Sequence, residues 1–255
     1  MGALDNRHAL ITGGGTGIGA AIARALVGEG AAVSLVGRRK APLDAVAASL
    51  VKATAIVADV TKEADCAAMA TAAHAAQGPI DIVIANAGAA VSAPVAKMDL
   101  AHWHSMIDVN LTGAFLTVKA ALADVTRNSE GARRIVFISS TAGLKGYPYV
   151  AAYCAAKHGV IGLARALSLE LAPSGVTVNA VCPGYTDTPL LNAAAEKISA
   201  KTGRSAEDSR AMLAKDNPSG RLIKPEEVAQ AVLRLCLPSA GSMNGQIIAV
   251  TGDLP

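Results

Sequence analysis

The chain reads as an α/β protein built on one doubly wound parallel sheet of about seven strands, with helices on both faces. Three observations predict this. Short apolar runs rich in Val, Ile and Ala alternate with longer Ala- and Leu-rich stretches along all 255 residues. The composition is 52% hydrophobic but only 3% aromatic, which suits helices packed closely on a buried sheet. Tight glycine-bearing turns also recur after the apolar runs, at Gly13–Gly19, at Asn86-Ala87-Gly88 and at Pro183-Gly184. No internal repeat or interdomain linker interrupts the pattern, so residues 1–255 are expected to form one domain.

The first strand, residues 8–12, runs straight into Gly13-Gly14-Gly15-Thr16-Gly17-Ile18-Gly19 and then a helix over 20–29. Glycines permit a tight turn and close backbone approach to a phosphate, and a helix N-terminus offers unpaired N–H groups and a positive dipole end. A strand before and a helix after make this a dinucleotide loop of Rossmann type, with Gly13, Thr16, Gly17, Ile18 and Gly19 as candidate contacts. The second strand, 32–36, ends in Gly37-Arg38-Arg39. No acid stands at this tip to hold the ribose 2′-hydroxyl of NAD, and Arg38 suits the 2′-phosphate of NADP. NADP is therefore favoured as cofactor, with NAD possible.

A helix over 42–50 leads to a strand at 54–58 and then Asp59-Val60. Asp59 either accepts from an adenine amino group or, as Thr61 could, caps the next helix at 62–76. The fourth strand, 80–85, meets the Asn86-Ala87-Gly88 turn at the same sheet edge. Helices around 100–108 and 111–126 follow, and Asn110 between them needs a buried partner. The fifth strand covers 134–139, with Ser140 in its polar tail, and a long helix spans 151–172.

Tyr153 and Lys157 lie four apart on one face of that helix. An ammonium beside a phenol stabilises the phenolate and draws the reference pKa of about 10 toward neutrality. Tyr153 is thus a candidate general acid/base, the alternative being an ordinary surface contact. Ser140 reaches the same substrate oxygen if the strand end and helix start converge. The sixth strand, 176–182, ends in Pro183-Gly184. Residues 190–224 then carry eleven charged side chains, an insertion that is either a substrate lid or a solvated helical hairpin. A helix over 225–237 and a strand at 246–250 complete the count.

The remaining features mostly exclude. A net charge of +3 is too mild for a nucleic-acid partner. No run of about 18 uninterrupted apolar residues is present, so no membrane partner is expected. The start lacks the pattern of a signal peptide, and Asn6 stands where a myristoylation motif needs Ser or Thr. Cys66, Cys154, Cys182 and Cys236 have neither CxxC spacing nor a His partner, so no metal site and no disulfide framework is expected. A reduced, cytoplasmic protein follows, in which the Asn110-Leu111-Thr112 sequon has no use.

Taken together, the motifs resemble the short-chain dehydrogenase/reductase family over nearly the whole chain. The family's TGxxxGxG appears as Thr12, Gly13, Gly17 and Gly19. Asp59-Val60, Asn86-Ala87-Gly88, Asn110, Ser140, Tyr153, Lys157 and Pro183-Gly184 follow in the family's order. Two places depart from it: Ala85 replaces the first Asn of NNAG, and Thr251-Gly252-Asp253 stands where a Gly-Gly pair is usual. The resemblance implies that Tyr153 transfers the proton, Lys157 lowers its pKa and binds the nicotinamide ribose, and Ser140 holds the carbonyl. It implies further that Asn110 fixes a water leading from Lys157, that Thr188 holds the nicotinamide carboxamide, and that the enzyme is a homotetramer.

For substrate, the stretch 153–228 is similar to polyketide and fatty-acid ketoreductases and to 3-hydroxybutyrate and 3-hydroxyacyl dehydrogenases. Hydroxybutyrate enzymes usually grip a carboxylate with a His and a Lys where Ala142 and Val150 stand here. A rim of Leu144, Tyr147, Tyr149 and Val150 would leave a small buried carboxylate uncompensated. The expectation is an NADP(H)-linked secondary alcohol/ketone oxidoreductase of the 3-oxoacyl-thioester (CoA or carrier-protein) reductase type. The alternatives are an NAD-linked dehydrogenase of cyclic, aromatic or steroid alcohols and a noncatalytic dinucleotide sensor or structural subunit.

Overall fold

A computed structural model describes residues 2–127 and 131–252. Its elements in chain order are β1 (His8–Thr12), α1 (Gly17–Gly28), β2 (Ala32–Gly37), α2 (Lys40–Ala48), β3 (Ala53–Val57), α3 (Glu63–Gln77), β4 (Ile82–Ala85) and α4 (Leu100–Ile107). There follow α5 (Gly113–Thr126), β5 (Arg134–Ile138), α6 (Ala151–Glu170), β6 (Thr177–Pro183), α7 (Pro189–Thr202), α8 (Ala206–Ala214), α9 (Pro225–Cys236) and β7 (Ile247–Val250). The strands form one parallel sheet in the order β3-β2-β1-β4-β5-β6-β7. The doubly wound α/β sheet read from the sequence is the one observed.

Strand order reverses between β1 and β4, which opens a crevice at the carboxyl ends of those two strands. The glycine loop leaves β1 there and the Asn86 turn leaves β4 there. One apolar layer joins α1 and α9 to the sheet through Ile22, Leu26, Val228 and Val232. The opposite layer joins α3, α5 and α6 through Met69, Val118, Val125 and Val160. Phe137 is the one aromatic among the largest fully buried side chains. Small residues elsewhere let the helices sit close to the strands.

Several boundaries differ from the sequence reading, each for a local reason. α1 begins at Gly17, three residues early, because the Ala20 N–H already bonds the Thr16 carbonyl at 3.3 Å. Ile80 precedes β4, since its N–H is taken by the Asp124 carboxylate at 2.9 Å. α4 and α5 are not two helices with Asn110 between them. A π-helical turn over Asp108–Thr112 joins them into one rod, and Asn110 lies inside it. That rod, Leu100–Thr126, is 27 residues and contains an 18-residue window of mean hydropathy 1.3, long and apolar enough by composition to cross a membrane. Here its α5 half packs on β4 and β5 as a core helix. Neither Asp59 nor Thr61 caps α3, whose N-cap is Lys62 without a side-chain bond. The Asp59 carboxylate instead accepts from Thr61 N at 3.1 Å, closing a turn on itself.

The charged insertion is a helical hairpin, α7 and α8, with its own small core of Leu191, Ala195 and Leu213. Thr188 and Ser205 cap the two helices. All four cysteines are buried and free. At the C-terminus Thr251 and Gly252 are described, and Asp253 lies outside the described residues.

Candidate active site

The crevice is shaped first by backbone. Gly13 takes a left-handed φ of 67°, and a Cβ there would sit 2.7 Å from Asn86 Nδ2. A Cβ on Gly19 would lie 2.2 Å from the Gly13 carbonyl oxygen, so no other residue fits the first turn of α1. Asn86 donates to the carbonyls of Thr12 at 2.8 Å and Gly13 at 3.3 Å. The Thr12 hydroxyl accepts in return from the N–H groups of Asn86 and Ala87. The Asn86 amide nitrogen therefore shapes the loop.

A cavity of about 190 Å³ opens beside this loop, lined by Gly13, Thr16, Arg38, Asp59, Val60 and Gly88 among others. Arg38 and Arg39 are exposed at the β2 tip, with no acid between them and Gly37. The Asp59 carboxyl is held below the usual range, first by the Thr61 N–H and with a contribution from Arg38. Val60 is buried and packs where a Cβ on Gly113 would come within 2.7 Å of it. Ile18 is partly buried, its side chain packed against the core layer that holds α1. Left-handed glycines, a helix N-terminus and exposed arginines suit the phosphates of a dinucleotide.

The second half of the site assembles where β5, α6 and the π-turn meet. Ser140, at the end of β5, caps a short turn over Thr141–Gly143, its Oγ accepting from Ala142 N at 3.1 Å. Tyr153, half-buried in the first turn of α6, hydrogen-bonds Ser140. Lys157 is buried one turn on, and its Nζ donates to the Ile138 carbonyl at 2.8 Å. A Cβ on Gly88 would lie 2.7 Å from Asn110 Oδ1 and 3.6 Å from Lys157 Nζ, so all three share one spot. Asn110 Nδ2 donates to the carbonyls of Ala89 and Met106, both at 2.9 Å. Met106 is one helical turn before Asn110, so the Asn110 side chain bonds back onto its own rod at the point where the π-turn begins.

One electrostatic expectation is corrected. Burial pushes the Tyr153 phenol up to about 12, and the Ser140 hydrogen bond is what opposes this. Lys157 does not pull it down, because its ammonium is turned to the Ile138 carbonyl, 5.7 Å from the Tyr153 ring centroid. Burial also lowers Lys157 itself to about 8. At neutral pH the pair is a protonated phenol beside a cation, a proton donor aimed at Ser140's side.

Thr188 is brought to the glycine loop, its methyl 3.1 Å from where a Gly17 Cβ would be. Its hydroxyl accepts from Leu191 N and donates to Thr186 O, both at 3.3 Å. Pro183 ends β6 and Gly184 N bonds Val250 O at 2.9 Å. Three residues escaped the sequence reading. Ser139 donates to the Lys157 carbonyl at 3.0 Å, clamping β5 to α6. Tyr185 and Asn217 join the loop after β6 to the hairpin. The Ser139-Ser140 doublet was a visible signal for the first, whereas nothing around Asn217 in the charged insertion marked it as buried.

The short chain dehydrogenase model matches residues 7–199, and the chain belongs to that family of oxidoreductases acting on alcohol and ketone groups. It is 41% identical over 255 residues to cis-4-hydroxycyclohexanecarboxylate dehydrogenase of Sinomonas cyclohexanicum, covering 98% of this chain and 97% of that one. It is 36% identical over 258 residues to a protein named as a ketoacyl reductase in Streptomyces coelicolor, covering 100% and 99%. Among solved structures, an actinorhodin polyketide ketoreductase with NADPH superposes with a TM-score of 0.92 at 36% identity, over 99% of this chain and 98% of that one.

Proposed function

We propose that this enzyme is an NADP(H)-linked reductase of 3-oxoacyl thioesters. The observation that carries the reading is the hydrogen-bonded Ser140–Tyr153 pair over buried Lys157, with the phenol held protonated. The nicotinamide supplies or accepts the hydride. Ser140 orients the carbonyl oxygen, Tyr153 delivers its proton to that oxygen, the Ser140 hydrogen bond stabilises the phenolate that remains, and Lys157 holds the nicotinamide ribose. Asn110, bonded to the carbonyls of Ala89 and Met106, keeps Gly88 and Lys157 in register and holds the water through which Tyr153 is reprotonated. Arg38, exposed at the β2 tip, holds the 2′-phosphate, and Asp59 and Thr188 bind the adenine and carboxamide ends of the cofactor.

The substrate side supports a weakly charged ligand. Ala142 is buried and Val150 partly so, and the rim is Leu144, Tyr147 and Tyr149. The name and NADPH complex of the polyketide relative point the same way. A second reading, oxidation of a cyclic secondary alcohol with NAD, is favoured by an aromatic pair over the site and by the cyclohexane-acting relative. A homo-oligomer in the cytoplasm belongs to either reading, and Phe115 on α5 and Leu169 on α6 stand exposed as contact residues for it. Paired titration with NADPH and NADH, followed by turnover of acetoacetyl-CoA, tests the proposal. Tighter NADPH binding with thioester reduction bears it out; NADH preference with cyclohexanol oxidation and no thioester activity replaces it by the second reading.

A further inference from the structure

The loop after Ser140 and the loop after β6 meet over the catalytic pair through two aromatic rings. Tyr147 and Tyr185 lie edge to face, with centroids 6.1 Å apart and planes at 85°. Tyr147 is fixed from the catalytic side, its hydroxyl donating to Thr141 Oγ1 at 2.9 Å, one residue beyond Ser140. Lys145 Nζ stands 5.0 Å from the centre of the same ring. The loop is held in turn by Tyr149, which takes a left-handed φ of 67° and accepts from Ala93 N at 2.8 Å. For a bulky side chain that conformation is strained, and it persists only where surroundings demand it.

Tyr185 is fixed from the hairpin side. The buried Asn217 amide accepts from Tyr185 N and donates to Tyr185 O, both at 2.9 Å, and donates again to Arg221 O at 2.7 Å. The preceding residue must be glycine, since a Cβ on Gly184 would come within 2.3 Å of Asn217 Oδ1. Behind the ring lies the hairpin core of Leu191 and Leu213. The Tyr185 hydroxyl is buried enough to be raised to about 12, and the Tyr153 phenol is among the neighbours that contribute. Two half-buried rings, one pinned through its hydroxyl and the other through its backbone, stand next to the reacting groups.

We infer that Tyr147 and Tyr185 are specificity-determining residues: they form a wall of the substrate site that favours ketones carrying a flat ring, whether free or within a 3-oxoacyl chain, over fully open-chain ones. This rests on the reading of Ser140 and Tyr153 as the groups that meet the ketone. A pinned edge-to-face pair presents a ring face and a ring edge in fixed orientation, which a second planar ring can extend and a flexible chain cannot match without losing rotamer freedom.

The test compares tetralone with methyl hexyl ketone in wild type, Tyr147→Ala, Tyr185→Ala and Tyr185→Phe, with NADPH affinity measured alongside. The ratio of kcat/KM, tetralone over the linear ketone, should fall about tenfold or more in the two alanine variants and hold in Tyr185→Phe, which keeps the ring. An unchanged ratio in folded alanine variants overturns the inference. If Tyr185→Ala does not fold, Tyr147→Ala decides alone. If wild type reduces neither ketone, the reading of Ser140 and Tyr153 fails. The wall is then judged by calorimetric titration of tetralone into the NADP-loaded protein: loss of binding in Tyr147→Ala supports it, and undiminished binding refutes it.

Discussion

The cofactor side and the substrate side of this enzyme are built by different physics. Around β1, β2 and β4 the site is backbone: left-handed Gly13, the Gly19 contact with the Gly13 carbonyl, and Asn86 bonded to two loop carbonyls. These constraints are local, short-ranged and intolerant of a single methyl group. Beyond β6 the site is side chain: a hairpin with a three-residue core, held to the sheet by Asn217 and to its own entry by an Arg210–Asp187 ion pair at 2.9 Å. That ion pair is half-exposed and contributes little on its own. The comparison teaches that one side is specified by what cannot fit and the other by what happens to touch.

The largest expected effect lies where the two sides meet. Tyr153→Phe should cut turnover by about a thousandfold or more while NADPH affinity stays within about twofold. Turnover surviving the change would mean that the proton comes from elsewhere. Gly19→Ala should break the cofactor side alone, because its methyl would meet the Gly13 carbonyl at 2.2 Å. We expect dinucleotide affinity to drop by about a hundredfold or more, read by fluorescence titration. Arg38→Asp should move the NADPH-to-NADH preference by roughly one to two orders of magnitude toward NADH. An unchanged preference would show that the β2 tip does not read the 2′-phosphate.

The pH dependence is smaller and its sign follows from burial. Lys157 falls to about 8 while Tyr153 rises to about 12. Below pH 8 both groups are protonated, the form needed to reduce a ketone. As pH rises through about 8, Lys157 loses its charge and kcat/KM for reduction should fall by up to about tenfold per pH unit. A profile flat to pH 10 would mean that cofactor binding restores the lysine to its ordinary range. The smallest effect is expected in the hairpin. Leu213→Ala should speed proteolysis within 189–214 and lower global stability by only about 1–2 kcal/mol, leaving NADPH affinity unchanged. If that affinity fell with it, the two sides would be one cooperative unit.

Much of this was legible in the linear chain because the signals are local. A strand, a glycine loop and a helix announce their own geometry, and Tyr153 and Lys157 share a face by helical spacing alone. Ser140, Asn110 and Gly88 could be placed in order but not in space, and the structure brings each beside Lys157 or Tyr153. Asn110 shows what spacing hides: the sequence marked a polar residue in an apolar helix, while its partners, the carbonyls of Met106 and Ala89, are set by two helices sharing one rod and by the turn after β4. Asn217 and Tyr185 were invisible for a related reason. Their partners lie about thirty residues apart in sequence, and a buried Asn among surface charges carries no periodic mark.

By itself the sequence determined the parallel α/β sheet, the glycine loop between β1 and α1, and the placing of Tyr153 and Lys157 on one helix face, since each follows from composition, period or a short motif. Tertiary structure alone decided how that pair is tuned. Lys157 stands one helical turn from Tyr153, yet its ammonium is claimed by the Ile138 carbonyl across the sheet, so burial and not the lysine dominates the phenol. It also decided what stands over the site, because the facing of Tyr147 on Tyr185 is set by bonds to Thr141 and Asn217 that no local rule connects. Proximity in sequence gives a shared face; only packing determines which partner each group turns to.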